Sequence, residues 1–426
     1  MSPIRTALCT LAALALLGAG AAFAQTVAIT GGKVITNTAQ GQIENGVVLI
    51  RSGKILAVGG PDTAIPAGAK RLDASGKWVT PGLFAPFSRV GLVEVQLEDS
   101  TNDVSAGKAK MSAALDAADG FNPKAEAIAI TKIEGMTRIG VAPDAGATIF
   151  AGNGFVADTS GAFDSITQGK AFMFAQMGER GAALAGGSRP AAWAYLRNAL
   201  AEARAFRPGR KRDAHTLLSD ADAAALQLVA DGRMLFLVHV ERASDLMNLV
   251  RLHQAQPQLR LVAVGASEGW MVAGALARAN IPAIIEPQDN LPASFETLGA
   301  TMENAARLHK AGVRIAIAQI NEGFNARLAP QQAGDAVPYG LPWDAAFKAI
   351  TLEPAKIFGL DDRLGALKKG MVADVVVWNG DPLELMTGAE HVFINGHEQS
   401  LTSRQTRLRD RYMDLSNPKK KPFAYR

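Results

Sequence analysis

From Gly82 to about Leu360 short apolar runs alternate with helical patterns, and this alternation restricts the possible folds more than any other feature of the chain. "RMLFLVHVE" precedes "RASDLMNLVRLHQA", and "LRLVAVGASE" precedes "GWMVAGALARAN". "IPAIIEPQ" comes next, and "GVRIAIAQI" follows the helix-like "SFETLGATMENAARLHKA". Alternation repeated this often implies parallel strands joined by crossover helices. A closed (β/α)8 barrel and a doubly wound open sheet both satisfy it. The span of roughly 280 residues suits a barrel, for which about 250 is typical. No glycine fingerprint opens the region, which counts against a dinucleotide-binding sheet.

Both ends of the chain read differently. In "GVVLIRSGKILAVGG" two apolar runs meet at Ser52-Gly53, a hairpin signal. "ALKKGMVADVVVWNGDPLE" and "HVFINGHE" are strands punctuated by Asn379-Gly380-Asp381-Pro382 and Asn395-Gly396. The expected organisation is therefore a barrel over 82–360. A small β domain is assembled from 25–81 and 361–426, the latter including a C-terminal tail.

Residues 1–24 read as a leader to be removed. Arg5 is followed by the apolar "ALCTLAALALLGAGAAFA", and Ala22-Phe23-Ala24 gives a small-x-small cleavage pattern before Gln25. Cys9 lies at the start of that run, where a lipoprotein cleavage site does not fall. It is the only cysteine, so an exported chain would rely on its core and not on disulfides. The expectation is export, to the periplasm in a Gram-negative cell, with no membrane span after cleavage. Without the leader, 43 basic residues stand against 40 acidic ones. The pI of 9.1 therefore argues only weakly for nucleic acid, and none is expected as a partner. The basic "PKKKPFAYR" reads as a solvated tail.

"GGKVIT" near the start, "WVTPGL" before the first barrel strand, "LPWDAAFKAITLEPAKIFGLDDRLGALKKGMVADVVVWNGDPLE" and "VFINGHE" together resemble the amidohydrolase superfamily, in particular its exported, imidazolonepropionase-like branch. The resemblance spans nearly the whole mature chain. It implies a distorted (β/α)8 TIM barrel with a small β-sandwich domain built from both chain ends. It also implies hydrolysis of carbon–nitrogen bonds in cyclic amides or related compounds. Such chemistry needs one or two divalent metals, usually zinc, which activate water and polarise the carbonyl. The family ligands are a His-x-His pair after the first strand, a His after the fifth, a His after the sixth and an Asp after the eighth.

This chain departs from that pattern. After the first strand, "FSR" puts Phe87 and Arg89 where the histidine pair is expected. Phe has no donor atom, and Arg is a permanent cation. The fifth strand keeps His239. The sixth has Gly265 and Ser267 with Glu268 beyond, and the eighth has Gln319, Ile320 and Asn321 near the expected Asp. No metal ligand set is expected, and zinc enters only if the ligands have been rearranged. His215, His253, His309, His391 and His397 are not spaced as ligands.

His239 is either a leftover histidine satisfied at a strand end or a general base or substrate contact. Glu241, two residues on, is not paired with it. Arg89 is expected to neutralise Glu268 or Glu286, either as a salt bridge plugging a dead site or as a carboxylate-binding handle. The expected pocket lining is Phe87, Arg89, Glu268, Glu286, Gln319 and Asn321, with Phe324–Arg327 beside it. "AGNGFVADTSGAF" reads as a turn-rich strand pair, and a helix is expected to start near Ser188-Arg189-Pro190. Three functions fit. The first is a catalytically altered or inactive family member that binds a small polar molecule. The second is a working C–N hydrolase with rearranged ligands or no metal, and the third a non-catalytic binding or scaffold protein. A homodimer is the commonest assembly for such chains.

Overall fold

The structure is a computed structural model that describes residues 25–210 and 215–413; the expected leader and the basic end of the tail lie outside them. Eight strands from the two chain ends form one hydrogen-bonded sheet: β1 (Val27–Ile35), β2 (Gln42–Arg51), β3 (Lys54–Gly59), β4 (Lys70–Asp73), β5 (Trp78–Pro81), β14 (Val375–Trp378), β15 (Ala389–Ile394) and β16 (His397–Glu398). The first half of β1 pairs with β4 and the second half with β5, so one strand serves both branches. β2 and β3 join through Ser52 and Gly53, both at positive φ, as a tight hairpin twisted to match its strands requires.

The second sheet is a nearly closed barrel of β6 (Leu83–Ser88), β7 (Met136–Val141), β8 (Phe150–Asp158), β9 (Ile166–Gln176), β10 (Leu235–Val240), β11 (Arg260–Gly265), β12 (Ala283–Ile285) and β13 (Ile315–Ile317). Neighbours are parallel except β8, which runs antiparallel to both β7 and β9. The uniform crossover pattern therefore gives way here to a meander, because seven turn residues separate β8 from β9 and leave no length for a helix. The expected strand pair is found in this place. The expected helix also forms, over Arg189–Ala205, with the Ser188 side chain accepting from Ala191 N–H and Pro190 in the first turn.

Alternation decides what faces inward. Leu235 and Leu237 of β10, Phe172 and Phe174 of β9, and Val262 and Val264 of β11 fill the barrel with Phe84 and Phe87. Phe236, Val238 and Val240 point outward to the helical layer. The barrel is tied to the first sheet by buried Arg138. Its Nε donates to Asp374 at 2.6 Å and its Nη2 to Asn395 Oδ1 at 2.5 Å. No helix of the described residues is long and apolar enough to cross a membrane.

Candidate functional site

The C-terminal ends of the barrel strands carry the polar residues. The inward column Leu235, Leu237 on β10 continues at the same period to His239 and then Glu241. Register sets His239 opposite Gln176 of β9 and Val264 of β11. His239 Nε2 lies 3.0 Å from Glu241 Oε1, and Gln176 Nε2 lies 2.8 Å from His239 Nδ1. Glu241 Oε2 also accepts from the Ser267 hydroxyl at 2.7 Å and from Ser267 N–H at 2.9 Å. The result is one closed chain, Gln176–His239–Glu241–Ser267, with the His239 and Glu241 side chains only 16% and 9% exposed. Gln176 Nε2 also donates to Met177 O at 3.1 Å, which fixes the amide beside the imidazole.

Burial opposes charge on both partners, but their mutual attraction outweighs it. His239 is held above the ordinary imidazole range by the Glu241 carboxylate. Glu241 is held below the ordinary carboxylate range by His239 and the two Ser267 donors. The two residues left unpaired in the sequence reading are thus partners, because residues i and i+2 of an extended segment share a face.

Gly265 makes this possible. It has φ +92°, and a Cβ built there would stand 2.2 Å from Glu241 Oε1. The carboxylate occupies space that a side chain on the sixth strand would need.

The β6 side is built differently. Phe87 is buried edge-on against Phe174, ring centroids 5.1 Å apart, and the Arg89 guanidinium lies over both rings at 4.8 and 5.5 Å. Arg89 Nη1 donates to Ala142 O and Pro143 O, each at 2.5 Å, and Nη2 lies 3.5 Å from Asp144. Asp144 is held more closely by Arg180, at 2.7 Å. Burial pulls the Arg89 pKa down to about 10, with Asp144 resisting, so the side chain stays cationic in neutral solution.

The expected pairing of Arg89 with Glu268 or Glu286 is therefore corrected: each glutamate is satisfied where it stands. Glu268 accepts from Ala243 N–H at 2.9 Å and Gly299 N–H at 3.1 Å, clamping two loops. Glu286 accepts from Ile320 N–H at 2.8 Å, Asn321 N–H at 2.9 Å and the Gln319 amide. Burial raises its pKa to about 7 despite those donors. Gln332 Nε2 in turn donates to Gln319 Oε1 at 2.9 Å. So Glu286, Gln319 and Asn321 come together, Phe87 and Arg89 form a second group, and Glu268 serves a third purpose. Phe324, Asn325 and Arg327 line a groove outside the barrel wall.

The residues at the family ligand positions do not fit a metal. Phe87 and Arg89 offer no lone pair, position 265 has no side chain, and both nitrogens of His239 are engaged. Among the described residues no group of three or more His, Cys, Asp or Glu is arranged to hold an ion.

The chain is similar to an amidohydrolase from Thermotoga maritima, with a TM-score of 0.78 and 26% identity over 89% of this chain and all of that one. It is 36% identical over 120 residues to an imidazolonepropionase of Aeromonas hydrophila, a match covering 25% of this chain and 29% of that enzyme. It is 33% identical over 118 residues to amidohydrolase tasK of Hapsidospora irregularis, covering 28% of this chain and 12% of the other. The chain thus spans under a third of the length of either curated relative. The amidohydrolase family profile runs over residues 100–399, from after β6 across the rest of the barrel and through the closing strands of the first sheet, and the chain belongs to that family.

Proposed function

We propose that this chain is an amidohydrolase-family protein in which metal-dependent hydrolysis of carbon–nitrogen bonds has been altered or lost, and which keeps a small-molecule role at the barrel mouth. The observation that carries this reading is the position of Glu241. Its carboxylate fills the space beside Gly265 and engages the one remaining family histidine. A general base needs a free nitrogen within reach of substrate. His239 has none while Glu241 and Gln176 hold it. On the opposite side, Arg89 holds a buried positive charge that Asp144 meets only at 3.5 Å while pairing more closely with Arg180, which suits a small carboxylate-bearing ligand.

The test is elemental analysis of protein purified without chelator, with a hydrolysis assay on cyclic amides before and after zinc addition. The expected result is no stoichiometric metal and no zinc-dependent turnover. About one metal per chain, lost in His239→Ala, would establish the working hydrolase with rearranged ligands instead. Export to the periplasm is part of the same proposal, supported by the Ala22-Phe23-Ala24 pattern. N-terminal sequencing of the exported protein should begin at Gln25, and retention of Met1 would reject it.

A further inference from the structure

Outside the barrel wall a groove of about 820 Å3 runs between the loop after β6, the helix Glu126–Ile133, the turn after β13 and the start of the helix Arg404–Met413. Its apolar lining includes Val93, Ile130, Ile133 and Phe324. Ile130, Ile133 and Glu134 are spaced as one helical face.

Two charged groups in this groove stand out. Glu134 and Arg327 are both half-buried, yet neither makes a hydrogen bond or ion pair among the described residues, with each other or with anything else. Of the other charged side chains there, the Arg404 guanidinium is exposed to solvent, where an unpaired charge costs little, and three are partnered. Glu94 takes the Asn122 amide, Glu126 accepts from Arg404 N–H at 2.5 Å, and Lys124 lies over the Phe163 ring at 5.2 Å. Half-burying an unpaired charge costs free energy, and two opposite charges that face one cavity without meeting leave a gap of defined polarity.

We infer that this groove binds a zwitterionic small molecule with an apolar body, an amino acid or short peptide, its ammonium at Glu134 and its carboxylate at Arg327. Guanidinium suits a carboxylate because its parallel N–H groups match the two oxygens. Glu134 suits an ammonium because burial already raises its pKa, an effect Arg327 only partly offsets, and an adjacent cation would relieve it. Ile130 and Phe324 supply the apolar contact, and the volume lies within the range of small-molecule sites. The groove's lining shares no residue with the Gln176–His239–Glu241–Ser267 chain.

The experiment is isothermal titration of the purified chain with leucine and with leucyl-leucine, beside N-acetyl-leucine, which lacks the cation, and leucinamide, which lacks the anion. Saturable binding is expected for at least one zwitterion and for neither capped compound; the tighter of leucine and leucyl-leucine identifies the size class. Glu134→Gln and Arg327→Gln should each weaken that binding by about tenfold or more. Their unfolding midpoints in the absence of ligand show that the fold is intact. Capped compounds binding as well as free ones, no binding at millimolar concentrations, or unchanged affinity in both folded variants would each overturn the assignment.

Discussion

On the β6 side of the barrel mouth a cation is held mainly by neutral groups, whereas on the β10 side an anion is held by a titrating one. Arg89 rests on two aromatic rings and two backbone carbonyls, with Asp144 at the edge of reach. Glu241 rests on His239 and Ser267. Both stand at the barrel mouth, but they respond to different perturbations. Neutral partners do not change with pH and cannot be left charged and alone. A charged partner strengthens the pair and exposes it to titration.

The largest expected effect lies on the β10 side. His239→Ala removes the charged partner of a carboxylate that is 9% exposed, and breaking such a pair from one side costs about 3–5 kcal/mol. His239→Ala together with Glu241→Ala should cost less than the sum of the single changes, because no orphan charge remains. Denaturant unfolding of the four proteins measures this, and additivity within error would break the contrast.

Arg89→Ala should cost less, about 1.5–3 kcal/mol, the worth of hydrogen bonds to a charged group, because what it leaves behind is neutral and Asp144 keeps Arg180. Double-mutant cycles of Arg89 with Glu268 and with Glu286 should give coupling near zero. Strong coupling to either glutamate would mean that the two sides of the mouth share one network.

The smallest effect is on pH dependence, and only the β10 side should respond. Because His239 titrates above its unfolded value, its contribution is complete below an ordinary histidine pKa of about 6.5 and fades as pH rises through the raised one. Because Glu241 titrates below its unfolded value, its contribution is complete above about 4.3 and fades as pH falls through the depressed one. The pair should therefore contribute most between those limits. Stability of wild type minus that of the double alanine variant, measured from pH 4 to 8, should peak there, whereas the cost of Arg89→Ala should stay flat. A flat profile for the His239–Glu241 difference would show that the imidazole remains neutral throughout.

The site was only partly legible in advance. That Phe87 and Arg89 carry no lone pair for a metal is a matter of residue type, so it can be read without coordinates. The pairing of His239 with Glu241 is consistent with strand alternation, but Glu241 lies one residue beyond β10, where only the folded backbone fixes which face it takes. Gln176 had no such signal: it sits at the end of an 11-residue strand and meets His239 only through interstrand register.

Chemical identity and period were enough for the barrel, the two-ended first sheet and the helix capped by Ser188, since these depend on local propensity and on patterning along the chain. Partner choice was not of that kind. Arg89 turned to Ala142 and Pro143 because those carbonyls lie within its reach, while Glu268 and Glu286 were already satisfied by backbone N–H groups. Glu241 entered the space beside Gly265 because a residue without a side chain, 24 positions away, left it open. The reversal of β8 and the unpaired Glu134 and Arg327 belong with these. Each depends on which segments the folded backbone brings within a few ångströms, and hydrogen bonds and ion pairs are decided at that range, not by distance along the chain.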